Sequence, residues 1–317
     1  MSESRSMLLI GAQGFLGAHL HSAVLASGMR VIAADRRAGG PEGRPCDLLD
    51  ARSVAACVAA AKPDLIVNMA GSASVAESWR DPLASFALNA TGVLHLLEAV
   101  AGHAPKAHVL CVSSAEVYGE PDRDRLPVTE DERPRPVTPY GAGKLAMEAI
   151  CGQYARAGIR IATVRPFNQI GLGQAPSYAA SGFARQIAQA EAAGLETVEI
   201  SVGNLAAERD FTDVRDSARA LAEISSRELC GVYNLCSGRP LGLETLISQM
   251  ARATPLDLRP AVDPALKRPR DPAVIYGDPA RLRGATGWEP RIPLERTIED
   301  LLEWWRDQLG GSRGRRS

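Results

Sequence analysis

The sequence lacks most features that mark a membrane, secreted or nucleic-acid-binding protein. Aromatic residues make up 5% of its 317 residues, and 36 Lys and Arg against 37 Asp and Glu give a net charge of −1. A chain without a basic balance is not expected to bind nucleic acid or an anionic membrane surface. No apolar run approaches the ~18 residues of a membrane span, and residues 1–6 lack a signal-peptide pattern. We therefore expect a cytoplasmic protein.

Motifs for metal binding and for two common kinds of catalysis are also missing. The six cysteines include no CxxC and lie mostly in apolar segments, which is typical of reduced, buried thiols. His19 and His21 are two residues apart and there is no HExxH, so we predict no metal site. A P-loop is excluded because Thr138 and Leu145 replace its first glycine and its Ser or Thr, and no GxSxG elbow exists.

What the chain does have is a regular alternation of short apolar runs and helical patterns. Its length and its hydrophobic content of 45% are enough for a full core. Predicted strands cover 7–10, 30–34, 64–69, 108–113 and 159–164, and the longest predicted helix covers 82–100. Strands that alternate with helices of this length indicate a parallel sheet covered on both faces. We predict an α/β fold, a Rossmann-type doubly wound parallel sheet.

A glycine-rich turn joins the first predicted strand to the first helix. Gly11 allows a tight turn, Gly14 lets backbone N–H groups approach a pyrophosphate, and Gly17 lets the helix pack on the strand. Asp35 follows at the tip of the second strand, about 20 residues on, as a dinucleotide site requires. Phosphates would then lie at a helix N-terminus. We expect cofactor contacts from the whole turn: Gly11, Gly14, Phe15, Leu16 and Gly17.

The residues after the second strand leave the choice of nicotinamide cofactor open. The carboxylate of Asp35 suits the adenosine ribose hydroxyls and repels a 2′-phosphate, which favours NAD (NADH). Arg36 and Arg37 point the other way, because guanidinium groups are common phosphate ligands and favour NADP (NADPH).

Polar residues follow the later strands at the edge where ligands bind in such sheets. The carboxyl ends of parallel strands meet at one edge. The residues that follow these strands are Ala70-Gly71-Ser72, Ser114-Ala115-Glu116 and Arg165-Pro-Phe-Asn168. We expect Ser72 to reach the substrate.

Tyr140 and Lys144 form the clearest catalytic candidate. Four residues apart, they share one face if the segment is helical. A phenol normally loses its proton near pH 10, and a nearby cation lowers that pKa. Tyr140 is therefore suited to exchanging a proton with an alcohol, and Ser114 to holding the same oxygen. Glu116 is either a further acid or base, or a solvated carboxylate.

The pattern changes after about residue 167, where helices alternate with shorter strands and with Pro- and Gly-rich stretches. We predict a cofactor domain at 7–166, a smaller α/β lobe at 167–309 that mainly binds substrate, and a basic tail at 310–317. No metal ligand set accompanies this division.

Together these motifs resemble a known family. The glycine turn, Ser114–Gly119 (SAEVYG), Tyr140–Lys144 (YGAGK) and Arg165–Asn168 (RPFN) closely resemble the extended short-chain dehydrogenase/reductases, which are nucleotide-sugar epimerases, dehydratases and reductases. The resemblance extends from Met7 to about Arg306. It implies that Ser114, Tyr140 and Lys144 are a catalytic trio and that the chain pairs through two helices as a homodimer.

Within this family the sequence is most similar to GDP-4-keto-6-deoxy-D-mannose reductases, which make GDP-D-rhamnose. The stretches that carry this likeness are 165–174, 183–188, 202–205, 209–216 and 277–288. Such reductases usually have His and Pro where this chain has Gln169 and Leu172. Ala115-Glu116 replaces the Asp-Glu pair of dTDP-glucose-type dehydratases, whereas Glu116 resembles the glutamate of GDP-mannose dehydratases.

The resemblance also implies roles for residues that spacing alone does not single out. Implied cofactor contacts are Asp47, Leu48, Ala70, Gly71, Asn89 and Phe167. Implied contacts to a sugar nucleotide are Asn168, Asn204, Arg209 and Arg268. We therefore expect a reductase of a GDP-linked 4-keto-6-deoxyhexose. The alternatives are an epimerase or dehydratase with tightly bound NAD, and a non-catalytic cofactor-binding scaffold, which the intact trio disfavours.

Overall fold

The computed structural model describes residues 5–37, 43–266 and 270–310. The strands in this part of the chain are β1 (Ser6–Ile10), β2 (Arg30–Asp35), β3 (Arg44–Pro45), β4 (Leu65–Asn68), β5 (His108–Val112), β6 (Arg160–Pro166), β7 (Asn168–Ile170), β8 (Thr197–Val202), β9 (Glu208–Asp213), β10 (Gly231–Leu235), β11 (Pro240–Gly242), β12 (Asp257–Val262) and β13 (Val274–Ile275). The α-helices are α1 (Phe15–Ala26), α2 (Ala51–Ala61), α3 (Val75–Arg80), α4 (Pro82–Phe86), α5 (Gly92–His103), α6 (Pro139–Arg156), α7 (Ala179–Ala192), α8 (Val214–Ser226), α9 (Leu243–Ala251), α10 (Ala280–Thr286) and α11 (Leu294–Gly310).

A parallel sheet of seven strands forms the centre of the molecule, in the order β10-β6-β5-β4-β1-β2-β3. Its inner strands are continuous apolar runs, and β1 and β4 are buried along their whole length. Such runs occur where helices cover both faces of a sheet. One face packs on α2, α5 and α6 and the other on α1, α8 and α10. The predicted doubly wound α/β fold is confirmed.

The division into two lobes needs one correction. The sequence analysis placed residues 214–235 in the second lobe, whereas β10 pairs in parallel with β6 at the edge of the central sheet. Helix α8 packs beside α1 on the same sheet. An apolar run shows that a strand is buried, but it does not show which sheet the strand joins.

The second lobe is built on smaller sheets at the carboxyl edge of the central one. β9 pairs with β7 and β13 in parallel and with β11 antiparallel, while β8 and β12 pair separately. Helices α7, α9 and α11 surround a second apolar core that includes Phe183, Met250 and Trp305. The two lobes meet where β6 leads directly into β7, at Pro166–Asn168.

The segment Pro82–His103 is one continuous helical rod with an irregular centre. Between α4 and α5, a π-helical turn covers Ala87–Thr91 and holds Asn89. Its length and mean hydropathy of 1.4 would suit a membrane span, contrary to the sequence analysis, although half of it is buried inside the fold. It packs against α2 and α6, as a core helix does.

Candidate active site

A cleft of about 370 Å³ opens at the carboxyl edge of the central sheet, between the two lobes. Its lining brings together most of the residues that the sequence analysis singled out. From that set the cleft is lined by Gly11, Gly14, Phe15, Leu16, Gly17, Gly71, Ser72, Ser114, Glu116, Tyr140, Lys144, Phe167, Asn168 and Arg209. The edge at which parallel strands end therefore carries the predicted site.

The glycine turn leaves space that any side chain would fill. Gly11 has φ +83, and a Cβ there would lie 2.7 Å from the backbone nitrogen of Ala70. A Cβ on Gly17 would lie 2.1 Å from the carbonyl oxygen of Gly11. Helix α1 starts at Phe15 without a side-chain cap, so its first N–H groups face the cleft. This close backbone approach to a helix N-terminus suits a dinucleotide pyrophosphate.

Asp35 and its neighbours lie beyond the cleft lining, on the side where the turn meets β2. The backbone N–H of Gln13 donates to Asp35 at 3.2 Å. Burial raises the pKa of Asp35, while hydrogen bonds from the backbone of Gln13 and Ala12 oppose that rise. Arg36 and Arg37 are both exposed beside it. A carboxylate that suits the ribose hydroxyls of NAD therefore lies beside two guanidinium groups that suit the 2′-phosphate of NADP.

Asp47 and Leu48 also lie outside the lining, in the loop before α2. Asp47 accepts a hydrogen bond from the backbone of Leu49 at 3.0 Å, and its own N–H donates to Ser53 at 3.1 Å. Leu48 is buried against Gly92. These bonds fix the loop at the β2 side of the sheet.

Ser114 lies two residues after the end of β5 and organises the turn that follows. Its hydroxyl accepts the backbone N–H of Glu116 at 3.2 Å and is hydrogen-bonded to Tyr140. Glu116 accepts from Thr138 at 3.5 Å, just before α6. Ser114, Glu116 and Tyr140 thus lie on one wall of the cleft.

Helix α6 places Tyr140 and Lys144 one turn apart, as the spacing predicted. Thr138 caps it by accepting the N–H of Gly141 at 3.0 Å, and Pro139 occupies its first turn. The Lys144 ammonium lies 5.9 Å from the Tyr140 ring centroid and donates to the carbonyl oxygen of Val112 at 2.8 Å. Both side chains are almost fully buried.

The predicted lowering of the Tyr140 pKa is wrong. Burial raises the pKa of Tyr140, and the hydrogen bond from Ser114 only partly opposes this. Burial lowers the pKa of Lys144 to about 8. In these buried positions each group resists ionisation, and the helix spacing alone did not reveal that burial.

Asn89 and Gly71, in the loop after β4, lie close to the Lys144 ammonium. The Asn89 amide donates to the carbonyl of Ser72 at 3.1 Å, and its Oδ1 has no hydrogen-bond partner within the described ranges. A Cβ on Gly71 would lie 2.6 Å from that oxygen and 3.2 Å from the Lys144 ammonium. Ala70 precedes Gly71 and accounts for the close approach to Gly11. The π-helical turn therefore places the unpaired acceptor Asn89 Oδ1 near Gly71 and Lys144.

The predicted substrate contacts are only partly brought together. Asn168 and Arg209 line the cleft. Asn204 does not line it, but its amide donates to Asp271 at 3.2 Å, and Asp271 is ion-paired with Arg209. Arg268 lies outside the described residues.

A buried carboxylate supports the part of the cleft that Phe167 lines. Asp210 accepts hydrogen bonds from the backbone N–H groups of Ser237, Gly238 and Gly277. Burial raises its pKa, and these bonds oppose the rise. Gly277 in turn packs so tightly on Phe167 that a Cβ would lie 2.5 Å from the ring.

Several lining residues were missed by the sequence analysis. They are Gln169, Gln174, Ser177, Tyr178 and Arg270. Gln169 lies in β7, which is too short to show strand periodicity, and the other four lie in irregular segments beside the second lobe. Gln169 and Gln174 fall inside the stretch that carries the resemblance, and this was the only available indication.

Comparison with known proteins places this architecture in a family. A family model described as GDP-mannose 4,6 dehydratase matches residues 8–301. The chain is 33% identical to a GDP-6-deoxy-D-mannose reductase of Pseudomonas aeruginosa, over 96% of this chain and 99% of that protein.

Solved structures agree. RMD from Pseudomonas aeruginosa complexed with NADPH is 32% identical, with a TM-score of 0.85 over 96% of this chain and 100% of that one. The UDP-glucose 4-epimerase of Thermus thermophilus in complex with NAD is 28% identical, with a TM-score of 0.82 over 95% and 99%. These complexes and the glycine turn identify the cofactor as NAD(P). The chain belongs to the GDP-mannose 4,6 dehydratase family of extended short-chain dehydrogenase/reductases.

Proposed function

We propose that the protein reduces the 4-keto group of GDP-4-keto-6-deoxy-D-mannose to give GDP-D-rhamnose. The observation that carries the proposal is the assembly of Ser114, Tyr140 and Lys144 on the wall of a cleft that also holds the glycine turn. The 33% identity to a GDP-6-deoxy-D-mannose reductase over nearly the whole chain supports this substrate.

The side chains of the cleft account for the acid–base part of this reaction. Bound NAD(P)H supplies the hydride for the keto carbon. The hydrogen-bonded hydroxyls of Ser114 and Tyr140 hold the keto oxygen, and Tyr140 gives it a proton as negative charge develops there. A raised tyrosine pKa keeps this proton in place until it is needed. Lys144 holds the cofactor ribose and, when charged, stabilises the tyrosinate that remains.

The other predicted contacts divide between the two ligands. The glycine turn, Asp35, Arg36, Asp47, Leu48, Ala70, Gly71, Asn89 and Phe167 serve the cofactor. Ser72, Asn168, Asn204, Arg209 and Arg268 serve the sugar nucleotide. Arg209 suits a diphosphate because its permanently charged fork can bond two oxygens at once. Glu116 also lines the cleft, beside Tyr140.

The direct experiment offers GDP-4-keto-6-deoxymannose with NADH and, separately, with NADPH. We expect stoichiometric loss of nicotinamide absorbance and formation of GDP-D-rhamnose. A Tyr140→Phe variant is expected to lose about 10²–10⁴-fold in kcat, the usual contribution of general acid–base catalysis. Its cofactor affinity should stay within about twofold, measured by fluorescence. Near-normal turnover by Tyr140→Phe would refute this role.

An epimerase or dehydratase is the second candidate, favoured by one specific observation. Glu116 lies beside Ser114 and Tyr140, so a second acid or base is at hand for the proton removal from carbon that dehydration requires. The similar Thermus thermophilus enzyme is an epimerase in complex with NAD. Such an enzyme would convert its sugar nucleotide without consuming added NADH or NADPH, and the assay above separates the two.

We further propose a cytoplasmic homodimer that does not enter the membrane. The support for pairing is a group of exposed apolar side chains on neighbouring helices. They are Trp79, Leu83, Phe86 and Leu94, of which Leu83 is 82% exposed. Exposed apolar groups of this size commonly mark a protein interface.

A further inference from the structure

A buried ion pair lies directly behind the cleft. Arg165 and Glu148 have side chains only 5% and 8% exposed. Their contact is bidentate: Arg165 Nε donates to Glu148 Oε1 at 2.9 Å and Nη2 donates to Oε2 at 2.6 Å. A two-pronged contact of this kind fixes the orientation of both groups as well as their distance.

Further hydrogen bonds extend the ion pair into a network that joins α6, β6 and β10 with the segment after β5. The Ser113 hydroxyl donates to Glu148 Oε1 at 2.6 Å. Arg165 Nη1 donates to the Tyr118 hydroxyl at 2.9 Å, which in turn donates to Asn234 at 2.7 Å. We call Ser113, Tyr118, Glu148, Arg165 and Asn234 the buried polar network.

Three members of the network adjoin residues that the proposed reaction uses. Ser113 precedes Ser114, and Glu148 lies one helical turn beyond Lys144 on the same face of α6. Tyr118 places its ring 6.2 Å from that of Phe167. β5, α6 and β6 are thus joined by polar bonds at the level where they present these residues.

Stability alone does not account for such an arrangement. Burying two charges costs solvation energy, and a buried pair is often no better for stability than well-packed apolar residues. A fully satisfied buried network does, however, specify one geometry. Its position behind the cleft makes that geometry relevant to catalysis.

We propose that the Glu148–Arg165 pair is a positioning device that sets Ser114, Tyr140 and Lys144 in register with one another. This rests on the proposed function for the role of those three residues. Glu148 and Arg165 are not among the residues that line the cleft; they act through the elements that they join.

Glu148 has a second effect that a purely structural pair would not have. Burial lowers the pKa of Lys144 to about 8, and the groups that oppose this are Cys111 on β5 and Cys151 and Glu148 on α6. Tyr140 faces the ammonium from the same helix. Removing the charge of Glu148 should therefore let the pKa of Lys144 fall further, so that the lysine loses its charge at a lower pH.

The test compares three variants with the wild-type protein. Glu148→Gln removes the negative charge of Glu148, and Glu148→Asp keeps that charge on a shorter side chain. Arg165→Lys keeps the positive charge but cannot make the bidentate contact. At pH 6 we expect each to lower kcat about tenfold or more, as small displacements in an active site do, with cofactor Kd within about twofold. NADH and NADPH binding to the free protein is then measured from pH 6 to 10. Only Glu148→Gln should move the midpoint of this dependence to lower pH.

Thr297→Val is the matched control, because Thr297 donates to Asp213 at 2.7 Å in a separate buried cluster. It should lose comparable thermal stability but keep kcat and the binding midpoint.

The proposal is overturned if Glu148→Gln keeps the wild-type midpoint, or if kcat falls in proportion to thermal stability in all variants, the control included. If Glu148→Gln does not fold, Glu148→Asp and Ser113→Ala decide through kcat at pH 6. The binding measurement needs no sugar substrate, so it separates failure of this proposal from failure of the proposed function.

Discussion

Lys144 shows at the residue scale how a functional group lowers the stability of its own fold. Its pKa is lowered from 10.5 to about 8 by burial, which corresponds to about 3 kcal/mol. Because the pKa in the fold lies below that of the unfolded chain, the cost is complete below pH 8 and disappears above pH 10.5. At neutral pH the buried Lys144 therefore lowers the free energy of unfolding by its full amount.

Lys144→Met is expected to raise the melting temperature at pH 7. After the lost hydrogen bond to Val112 is subtracted, the net gain is about 2 kcal/mol, or about 4 °C. Calorimetry at pH 7 and pH 10 checks this, since the gain should shrink at pH 10. The exposed Lys106→Met is the control and should change neither value. A lower melting temperature for Lys144→Met at pH 7 would contradict the assignment of burial as the cause.

Gly17→Ala is expected to weaken cofactor binding by steric conflict. The new Cβ would lie 2.1 Å from the carbonyl oxygen of Gly11, so either the turn or the start of α1 must move. We expect at least a tenfold weaker NAD(P)H affinity by fluorescence titration. Gly152→Ala on α6 is the control, because a Cβ there meets nothing within 4 Å. Equal affinity in the two variants would rule out this interpretation of the turn.

Gly17 and Tyr140 show how much of a single residue's behaviour can be predicted from the sequence. Gly17 was predictable because its spacing from Gly11 and Asp35 encodes a known backbone geometry. The direction of the Tyr140 pKa was not predictable, since it depends on burial by residues from distant parts of the chain. Gln174 and Tyr178 were missed because they lie in loops without a periodic signal.

At the scale of elements, the start of α6 gives a direct prediction, because Tyr140 lies in its first turn. Thr138→Ala removes the cap on Gly141 and should cost about 1 kcal/mol, or about 2 °C. It should also lower kcat several-fold, as the first turn loosens around Tyr140. Asp50→Ala removes the corresponding cap of α2, where Asp50 accepts from Arg52 at 2.9 Å. Its melting temperature should fall similarly with kcat unchanged; equal kcat in both variants would refute the link.

Helix Pro82–His103 marks the limit of prediction for elements. Its apolar pattern predicts an uninterrupted helix, and the bounds are close to those observed. Nothing in that pattern indicates the π-helical turn at Ala87–Thr91. The turn is set by packing on α6, where Gly143 admits Asn89 at close range, and such tertiary contacts lie outside a local sequence window.

For the whole molecule, the proposed homodimer gives the clearest prediction. Leu83→Glu should convert a particle of twice 33.7 kDa to a monomer in light scattering, because it buries a charge in an apolar contact. Leu195→Glu is the control, since Leu195 is 52% exposed but lies on the second lobe. A dimer that survives Leu83→Glu, or a wild-type monomer, would exclude this surface.

The order of strands explains why the fold class was predictable while the lobe boundary was not. Alternating strands and helices from 7 to 164 are enough to define a parallel sheet. β10 returns to that sheet after β7, β8 and β9 have formed part of the other lobe. It does so because the outer edge of β6 is still unpaired. That is a property of the assembled structure, not of any one segment.

The late arrival of β10 has a consequence for how the protein is made. The exposed edge of β6 must wait for Gly231–Leu235, which leave the ribosome roughly 3–13 s after β6 at ordinary translation rates. During that interval the nascent chain presents an unpaired strand edge, the kind of surface that chaperones cover and that aggregates when left bare. Slowing synthesis between residues 166 and 231 should therefore reduce soluble yield, even though the finished protein is unchanged.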